Sequence, residues 1–378
     1  MKILFIMPRF HTNLVPWIKE LQLQGHSVEM FVLYKGGTED YSTLSPKSFG
    51  LNLVSKIISR FMPPTEDISS QMIYGLPPLT IFIRSFLHFN PDVVMIRSPN
   101  MPFGLLACIM TMLLGKRLIV YTQGPKFASS LTIWRRLFHF IFVKMLNALW
   151  ITPVLGNPES GAKTLPWLEY IPFATDIPVE AYCPKDYSSS VKILSVGKYD
   201  SQKNHHLLIK VVAELANTHD IELTIVGECS RDFHRTYLNS LHNTVTELGL
   251  ENMIHFKINL TYNDLQKLYA QNHLFVLAST RDCASVANLE AMGAGLPVVC
   301  ASSNGTACYT RHGITGFLIR DESYQDLLDS LKTAISDLKL LKTLSENTLN
   351  DVEREFTGER FYKRFTSVLR KRFGINID

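Results

Sequence analysis

Four charged residues in this 378-residue chain stand at spacings that point to the binding of an anionic substrate. Asp282 and Glu290 are separated by seven residues, among them Ser285, Val286 and Ala287. Before them, residues 274–278 form a short apolar run bounded by Ser279 and Thr280, a pattern that predicts a buried parallel strand. Ser285 is the candidate N-cap of a helix running to Met292, with Val286 and Leu289 on its buried side, and 297–300 reads as the next strand. A strand–loop–helix of this kind leaves unpaired backbone N–H groups at the helix start, over the carboxyl edge of the sheet. Open α/β sheets bind anions there. Helix side chains lean toward the N-terminus, so both carboxylates are expected to face one crevice. A second pair, Lys198 and Lys203, follows the strand pattern 192–196 and the turn residue Gly197. Two ammonium groups at a strand's carboxyl end, beside a helix N-terminus, make a site for a diphosphate.

The elements that must position these groups alternate along the chain. Strand 2–7 leads through Arg9, His11 and Thr12 into a helix starting near Asn13, with Val15, Ile18, Leu21 and Leu23 as apolar positions and Gly25 as its stop. Strand 26–33 completes a βαβ opening that puts His11, Thr12 and Asn13 over the sheet edge as acceptor or phosphate contacts. Helix capping by Thr12 or Asn13 is the purely structural alternative. Residues 51–62 read as an amphipathic segment broken by Pro63-Pro64, expected to pack on its domain, with a membrane surface as the alternative. Strand 92–96 follows, then an apolar helix over 103–114, expected to be buried. Strand 117–122 ends at Gln123, Gly124 and Pro125, and 133–150 is the most apolar helix pattern. In it Arg135, Arg136 and Lys144 interrupt Phe138, Phe140, Ile141, Phe142 and Leu146, which suits a helix packed on its sheet or a membrane interface equally.

Short strands over 150–154 and 170–172 close the first half, and Pro172, Pro178, Pro184 and Ser188-Ser189-Ser190 mark a hinge. Beyond it, strands 192–196, 223–226 and 253–256, the strand 274–278 and strand 297–300 alternate with helices. The first of these carries Leu207, Leu208, Val211, Val212 and Leu215 at helical spacing. The expected fold is α/β, two Rossmann-like doubly wound domains facing a cleft. The expected domains are 1–176 and 177–357, followed by a basic helix from 358 to 378.

The stretch Glu290-Ala291-Met292 followed by Gly295-Leu296-Pro297-Val298-Val299 resembles the donor motif of retaining glycosyltransferases of family 4, which have the GT-B fold. In that family a Glu stands where this chain has Asp282, and Gly-Phe-Gly where it has Cys283-Ala284-Ser285. Lys198 stands at the family's Arg after Val-Gly, and Lys203 at its Lys about five residues on. The resemblance implies that domain 1–176 binds the acceptor and domain 177–357 the donor, and that the helix 358–378 crosses back to the first. It also implies that Glu290 bonds the ribose hydroxyls of a nucleotide and Asp282 the hydroxyls of the transferred sugar. Backbone N–H groups of Ser285, Val286 and Ala287 would meet phosphate or sugar oxygens. Lys198 and Lys203 would stabilise the departing phosphate. Gln123 stands near the place of a family His, and is expected to touch sugar or acceptor without titrating. Residues 302–306 stand at a family Gly-rich turn near the donor, and the Gly-Gly of the family's first loop is missing here.

Net charge is +4, with 46% hydrophobic and 19% charged residues, a globular composition. Residues 1–176 hold 16 Lys and Arg against 10 Asp and Glu, so the first half is expected to meet an anionic partner, a phosphorylated acceptor or a membrane. Six scattered cysteines without a Cys-x-x-Cys pair argue for reduced thiols. No Asp-x-Asp motif occurs, and no metal or other cofactor is expected. The chain opens directly on a strand pattern, without a signal-peptide pattern, and no apolar run approaches the ~20 residues of a bilayer span. The expectation is a cytoplasmic protein, peripheral at the inner face of the cell membrane. Its partners would be a nucleotide-sugar donor and a glycan or lipid-linked acceptor, with no nucleic acid. A GT-B sugar-nucleotide epimerase or hydrolase, or a non-catalytic nucleotide-sugar-binding scaffold, is the alternative.

Overall fold

The computed structural model describes residues 1–36, 41–61, 75–123, 133–155, 165, 167–183, 185, 190–280 and 282–375. Residues 60, 61, 135, 136, 138 and 139 are described in their backbone only. The Pro63-Pro64 break, Gly124-Pro125, and Pro184, Ser188 and Ser189 of the expected hinge lie outside the described residues. The chain divides into two compact units. One is Met1–Pro153, Lys163–Ala174 and Gly358–Asp378; the other is Val154–Ala162 and Thr175–Thr357. Leu155 belongs with the second unit because its backbone N–H donates to Cys308 Sγ at 3.4 Å.

Among the described residues unit 1 is built on seven parallel strands, β1 Lys2–Arg9, β2 Ser27–Tyr34, β3 Lys47–Ser48, β4 Val93–Arg97, β5 Arg117–Tyr121, β6 Leu149–Thr152 and β7 Leu168–Tyr170, in the order 3-2-1-4-5-6-7. Ile3 to Met7 are fully buried, as expected for a central parallel strand covered on both faces. Ile3 pairs with Val28 of β2 and with Val93 of β4, so the strand order reverses between β1 and β4. Arg9 ends one of these strands and Arg97 the other. Trp17, on the helix Val15–Leu23, stacks on Phe361 of the helix Gly358–Phe373 at 4.6 Å and 9° between planes. Its Nε1–H donates to the Pro172 carbonyl at 3.2 Å.

Three expectations for this unit need correction. The helix Pro102–Leu113 is not buried all round: Leu105, Ile109, Met112 and Leu113 are exposed, because a helix lying on a sheet covers only one of its own faces. The pattern over 133–150 is not one helix. It is a helix Ile133–Phe140, a π-helical turn Ile141–Met145 and then β6, where Trp150 pairs with Val120. The helix Leu53–Phe61 leaves Leu53, Val54, Ile57 and Ile58 exposed, so these four residues are not buried against the domain.

Unit 2 carries six parallel strands, β8 Val191–Val196, β9 Ile221–Gly227, β10 Ile254–Ile258, β11 Leu274–Leu277, β12 Val298–Ala301 and β13 Gly316–Ile319. Their order is 10-9-8-11-12-13, so the first strand of the unit neighbours its second and its fourth. This is the doubly wound order of a nucleotide-binding sheet, and the reversal between β8 and β11 is where such sheets bind ligand. Leu208, Val212 and Leu215 of the helix His205–Leu215 cover one face together with Leu327 and Leu331 of Tyr324–Ser336. Two Rossmann-like domains, as expected, make up the chain.

Candidate functional site

The strand reversal of unit 2 puts the loop after β8 beside the loop after β11. The first turns through a short 3-10 segment, Ser201–Lys203, capped by Asp200, whose carboxylate accepts from Gln202 N at 2.7 Å. The Thr280 N–H donates to the Gln202 carbonyl at 3.1 Å and ties the two loops together. Lys203 then reaches Asp282, with Nζ 2.5 Å from Oδ2 and exposures of only 19% and 20%. Its stem crosses the turn directly over Gly197, where a Cβ would lie 3.1 Å from Lys203 Cδ and Cε. Gly197 therefore gives Lys203 its path. Lys198 does not join this pair: its Nζ lies 3.7 Å from Glu228 Oε2, just past the end of β9. Burial pushes the Glu228 carboxyl up, but the Ser230 hydroxyl, the Lys198 ammonium and the nearby His234 and Arg231 together outweigh it and leave its pKa lowered.

Asp282 is held from behind by residues to which the sequence assigned no individual role. Its backbone N–H donates to Asn304 Oδ1 at 3.2 Å, and its carbonyl accepts from Gly305 N at 2.8 Å. Asn304 is fully buried and also bonds Ser279. A Cβ on Gly305 would lie 1.9 Å from the Cys283 carbonyl oxygen, so no other residue fits against that loop. The turn expected near the donor, 302–306, thus acts by fixing the backbone that carries Asp282.

Ser285 takes the N-cap position of the helix Val286–Gly293, but its side chain makes no cap hydrogen bond. Val286 and Ala287 open the helix at the same edge. Glu290 sits one turn in, half-buried, and accepts from the Tyr269 hydroxyl at 3.1 Å. Burial raises its pKa, and the Tyr269 hydrogen bond partly opposes that. Beneath Lys203, His205 is enclosed by Tyr199 and Tyr237 at 5.9 Å each. Burial above all, then the nearby Lys203 and His206, lowers its pKa to about 3.

In unit 1, His11 follows β1 and faces Arg97, whose Nη1 donates to His11 Nε2. Thr12 is exposed and Asn13 buried. Neither caps by its side chain, so the capping alternative does not apply; the helix begins at Val15 after a 3-10 turn, Thr12–Leu14. Gln123 donates through Nε2 to the Tyr121 hydroxyl at 2.8 Å. Arg97 and Tyr121 are register partners on β4 and β5, a neighbourhood that appears only once the strand order is known.

Among the described residues no group of three or more His, Cys, Asp or Glu could hold a metal ion, and no helix is long and apolar enough to cross a membrane. A cavity of about 870 Å³, lined by Lys185, Lys192, Gln266 and His273, opens at the amino edge of the unit 2 sheet, away from Lys203 and Asp282. Chemically, the switch-point pair can exchange partners. A phosphate oxygen can take Lys203, leaving the Asp282 carboxylate to accept from a sugar hydroxyl.

Residues 185–351 match the family model described as glycosyl transferases, group 1. The chain is 26% identical over 212 residues to an uncharacterized glycosyltransferase, MJ1607, of Methanocaldococcus jannaschii, covering 56% of this chain and 51% of that protein. It is 23% identical over 177 residues to the lipopolysaccharide core biosynthesis glycosyltransferase LpsE of Rhizobium meliloti, covering 47% and 49%. The chain thus spans about half the length of these curated relatives. The structure of Anabaena Alr3699/HepE in complex with UDP-glucose superimposes with a TM-score of 0.71 at 17% identity, over 98% of this chain and all of that one. Residues 185–351 are thus similar to the glycosyl transferases of group 1, and the fold of two Rossmann-like domains is of the GT-B kind that this solved structure shares.

Proposed function

We propose that the protein is a retaining, metal-independent glycosyltransferase of family 4. It would move a sugar from a UDP- or GDP-linked donor to a lipid-linked or growing glycan, in assembly of a bacterial surface polysaccharide such as lipopolysaccharide, capsule or exopolysaccharide. The observation that carries this reading is the Lys203–Asp282 pair at the strand reversal of unit 2. Unit 2 takes the donor: Lys203 and Lys198 on the diphosphate, Glu290 on the ribose, Asp282 on the sugar hydroxyls, and the N–H groups of Ser285, Val286 and Ala287 on phosphate or sugar oxygens. Unit 1 takes the acceptor with His11, Thr12, Asn13 and Gln123. The acceptor hydroxyl attacks the anomeric carbon on the face the phosphate leaves, and the departing β-phosphate takes its proton. Stabilising the charge on that phosphate is then the main catalytic contribution, supplied by the two ammonium groups. The lipopolysaccharide role in one relative's name and the UDP-glucose in one solved neighbour support the acceptor and donor classes. A cytoplasmic location at the inner membrane face follows from that acceptor.

The test has two stages. A thermal-shift panel of UDP-, GDP- and ADP-sugars identifies the donor, since a ligand at 100 times its Kd adds about 2.7 kcal/mol. Release of free nucleotide is then followed with and without a lipid-linked glycan. Acceptor-dependent release is the expected result. Release without acceptor would mean a hydrolase, conversion of the sugar nucleotide without net release an epimerase, and binding without turnover a scaffold.

A further inference from the structure

The strand reversal of unit 1 gathers hydrogen-bond donors and positive charge. Arg9 and Arg97 end the adjacent strands β1 and β4, and His11, in the loop after β1, meets Arg97 and feels the charge of both. A guanidinium only donates, so the His11 nitrogen facing Arg97 carries the lone pair and its proton sits on Nδ1. Burial first, then the charges of Arg97 and Arg9, hold the His11 pKa well below its usual value, which keeps the ring neutral. On the other side of Arg97, the Tyr121 oxygen already accepts from Gln123 Nε2, which leaves its own O–H to donate. The helix Pro102–Leu113 starts just past β4 with no side-chain cap, so its positive end adds to the same edge. Two residues past His11, Asn13 is 7% exposed and its Oδ1 has no partner among the described residues. That atom is an acceptor of the kind a sugar hydroxyl satisfies.

The geometry points to an oxyanion subsite in unit 1, formed by Arg9, His11 and Arg97, that takes a phosphate or carboxylate carried by the sugar acceptor. The word acceptor rests on the transferase reading; the anion site itself does not. Guanidinium groups suit either oxyanion, since both offer paired oxygens to the planar fork. The chain's acceptor is then an acidic or phosphorylated sugar, not a neutral one.

Calorimetric titration of the full chain with glucose, glucose 1-phosphate and glucuronate tests this. One or both charged sugars are expected to bind at least tenfold more tightly than glucose, and which one does so identifies the anion. Glucose 1-phosphate could also occupy the lysines of unit 2, so the titration is repeated with Lys203→Gln, Arg97→Gln and Arg9→Gln. The preference should survive Lys203→Gln and fall more than fivefold in Arg97→Gln and in Arg9→Gln, while UDP and GDP bind the two arginine variants as they bind the parent. Arg9→Gln serves if Arg97→Gln does not fold. Equal binding of charged and neutral sugars, or a preference lost only with Lys203→Gln, overturns the subsite. Failure of both nucleotides to bind the parent would instead overturn the transferase reading and leave the anion result standing.

Discussion

The Lys203 ammonium meets the Asp282 carboxylate at 2.5 Å, although 79 positions separate them in sequence. The contact joins loops from two neighbouring strands, β8 and β11, that the chain visits far apart. Both side chains are about four-fifths buried, so water screens them less than a surface pair. The ammonium is thereby held at the strand reversal, where a donor diphosphate would find it already positioned.

Replacing Lys203 by Gln should lower the turnover rate on the order of 10²–10³, the usual loss when a charge-stabilising group is removed from an active site. Lys203→Arg keeps the charge and should recover part of it. Steady-state nucleotide release is the measurement, with thermal melting to confirm a folded variant. A Lys203→Gln rate within about threefold of the parent would remove the leaving-group role assigned here.

Gly305→Ala tests how the loop is fixed. Its new methyl would run into the Cys283 carbonyl, which is backbone and cannot rotate away. Overpacking of this kind costs about 1–3 kcal/mol, read by urea unfolding. Asn304→Ala should cost about as much, because it strands the Asp282 N–H, and in both variants kcat/KM should fall further than stability alone explains. Activity unchanged in both would mean that the backbone of Asp282 needs no such support.

What the sequence made legible follows from range. Asp282, Ser285 and Glu290 lie on one strand–loop–helix, and Lys198 and Lys203 on another, so local patterning placed each set. The meeting of Lys203 with Asp282 depended only on β8 and β11 being neighbours, which the doubly wound order supplies. Asn304 was placed near the donor, but its hold on Asp282 and the pairing of Glu228 were opaque because their partners come from other strand ends, and no local pattern marks a buried Asn as a support. Arg97 and Tyr121 were missed for the same reason. The reading of 133–150 as one helix failed past Phe140, and the strand expected from Trp150 begins at Leu149. A buried strand and a buried helix segment are both apolar runs, and only pairing with β5 separates them.

His205 sets an acid limit on unit 2. In the unfolded chain it titrates near 6.5, whereas the fold keeps it neutral down to about pH 3. Between those values the unfolded chain binds a proton that the folded chain refuses, so stability falls as pH falls through that window. Among the described residues the groups that face it are Lys203, His206, Tyr199 and Tyr237, and none of these is a carboxylate that would favour the charged ring. Relative to His205→Leu, the parent should lose roughly 2–3 kcal/mol between pH 7 and pH 4.5 in urea unfolding. An equal response to pH in both proteins would show that His205 is not the group responsible.

The membrane side of the proposal has its own test in unit 1. That unit holds 22 Lys and Arg against 10 Asp and Glu, while unit 2 holds 16 against 24, so the positive charge is concentrated where an anionic surface is expected to bind. Ile57 and Ile58 of the helix Leu53–Phe61 are 55% and 53% exposed, beside Lys56. Burying each in the lipid boundary is worth up to about 1.5–3 kcal/mol, and nearby cations add an attraction that salt screens. The protein should therefore cosediment with phosphatidylcholine vesicles containing phosphatidylglycerol far better than with phosphatidylcholine alone. The double change Ile57→Glu and Ile58→Glu should weaken this by about tenfold or more, and added salt should weaken it further. Leu248→Glu, a similarly exposed leucine on unit 2, should leave it unchanged. Binding equal on neutral and anionic vesicles, or unaffected by the double change, would mean that this helix is not the contact and that its apolar residues meet something other than an anionic membrane.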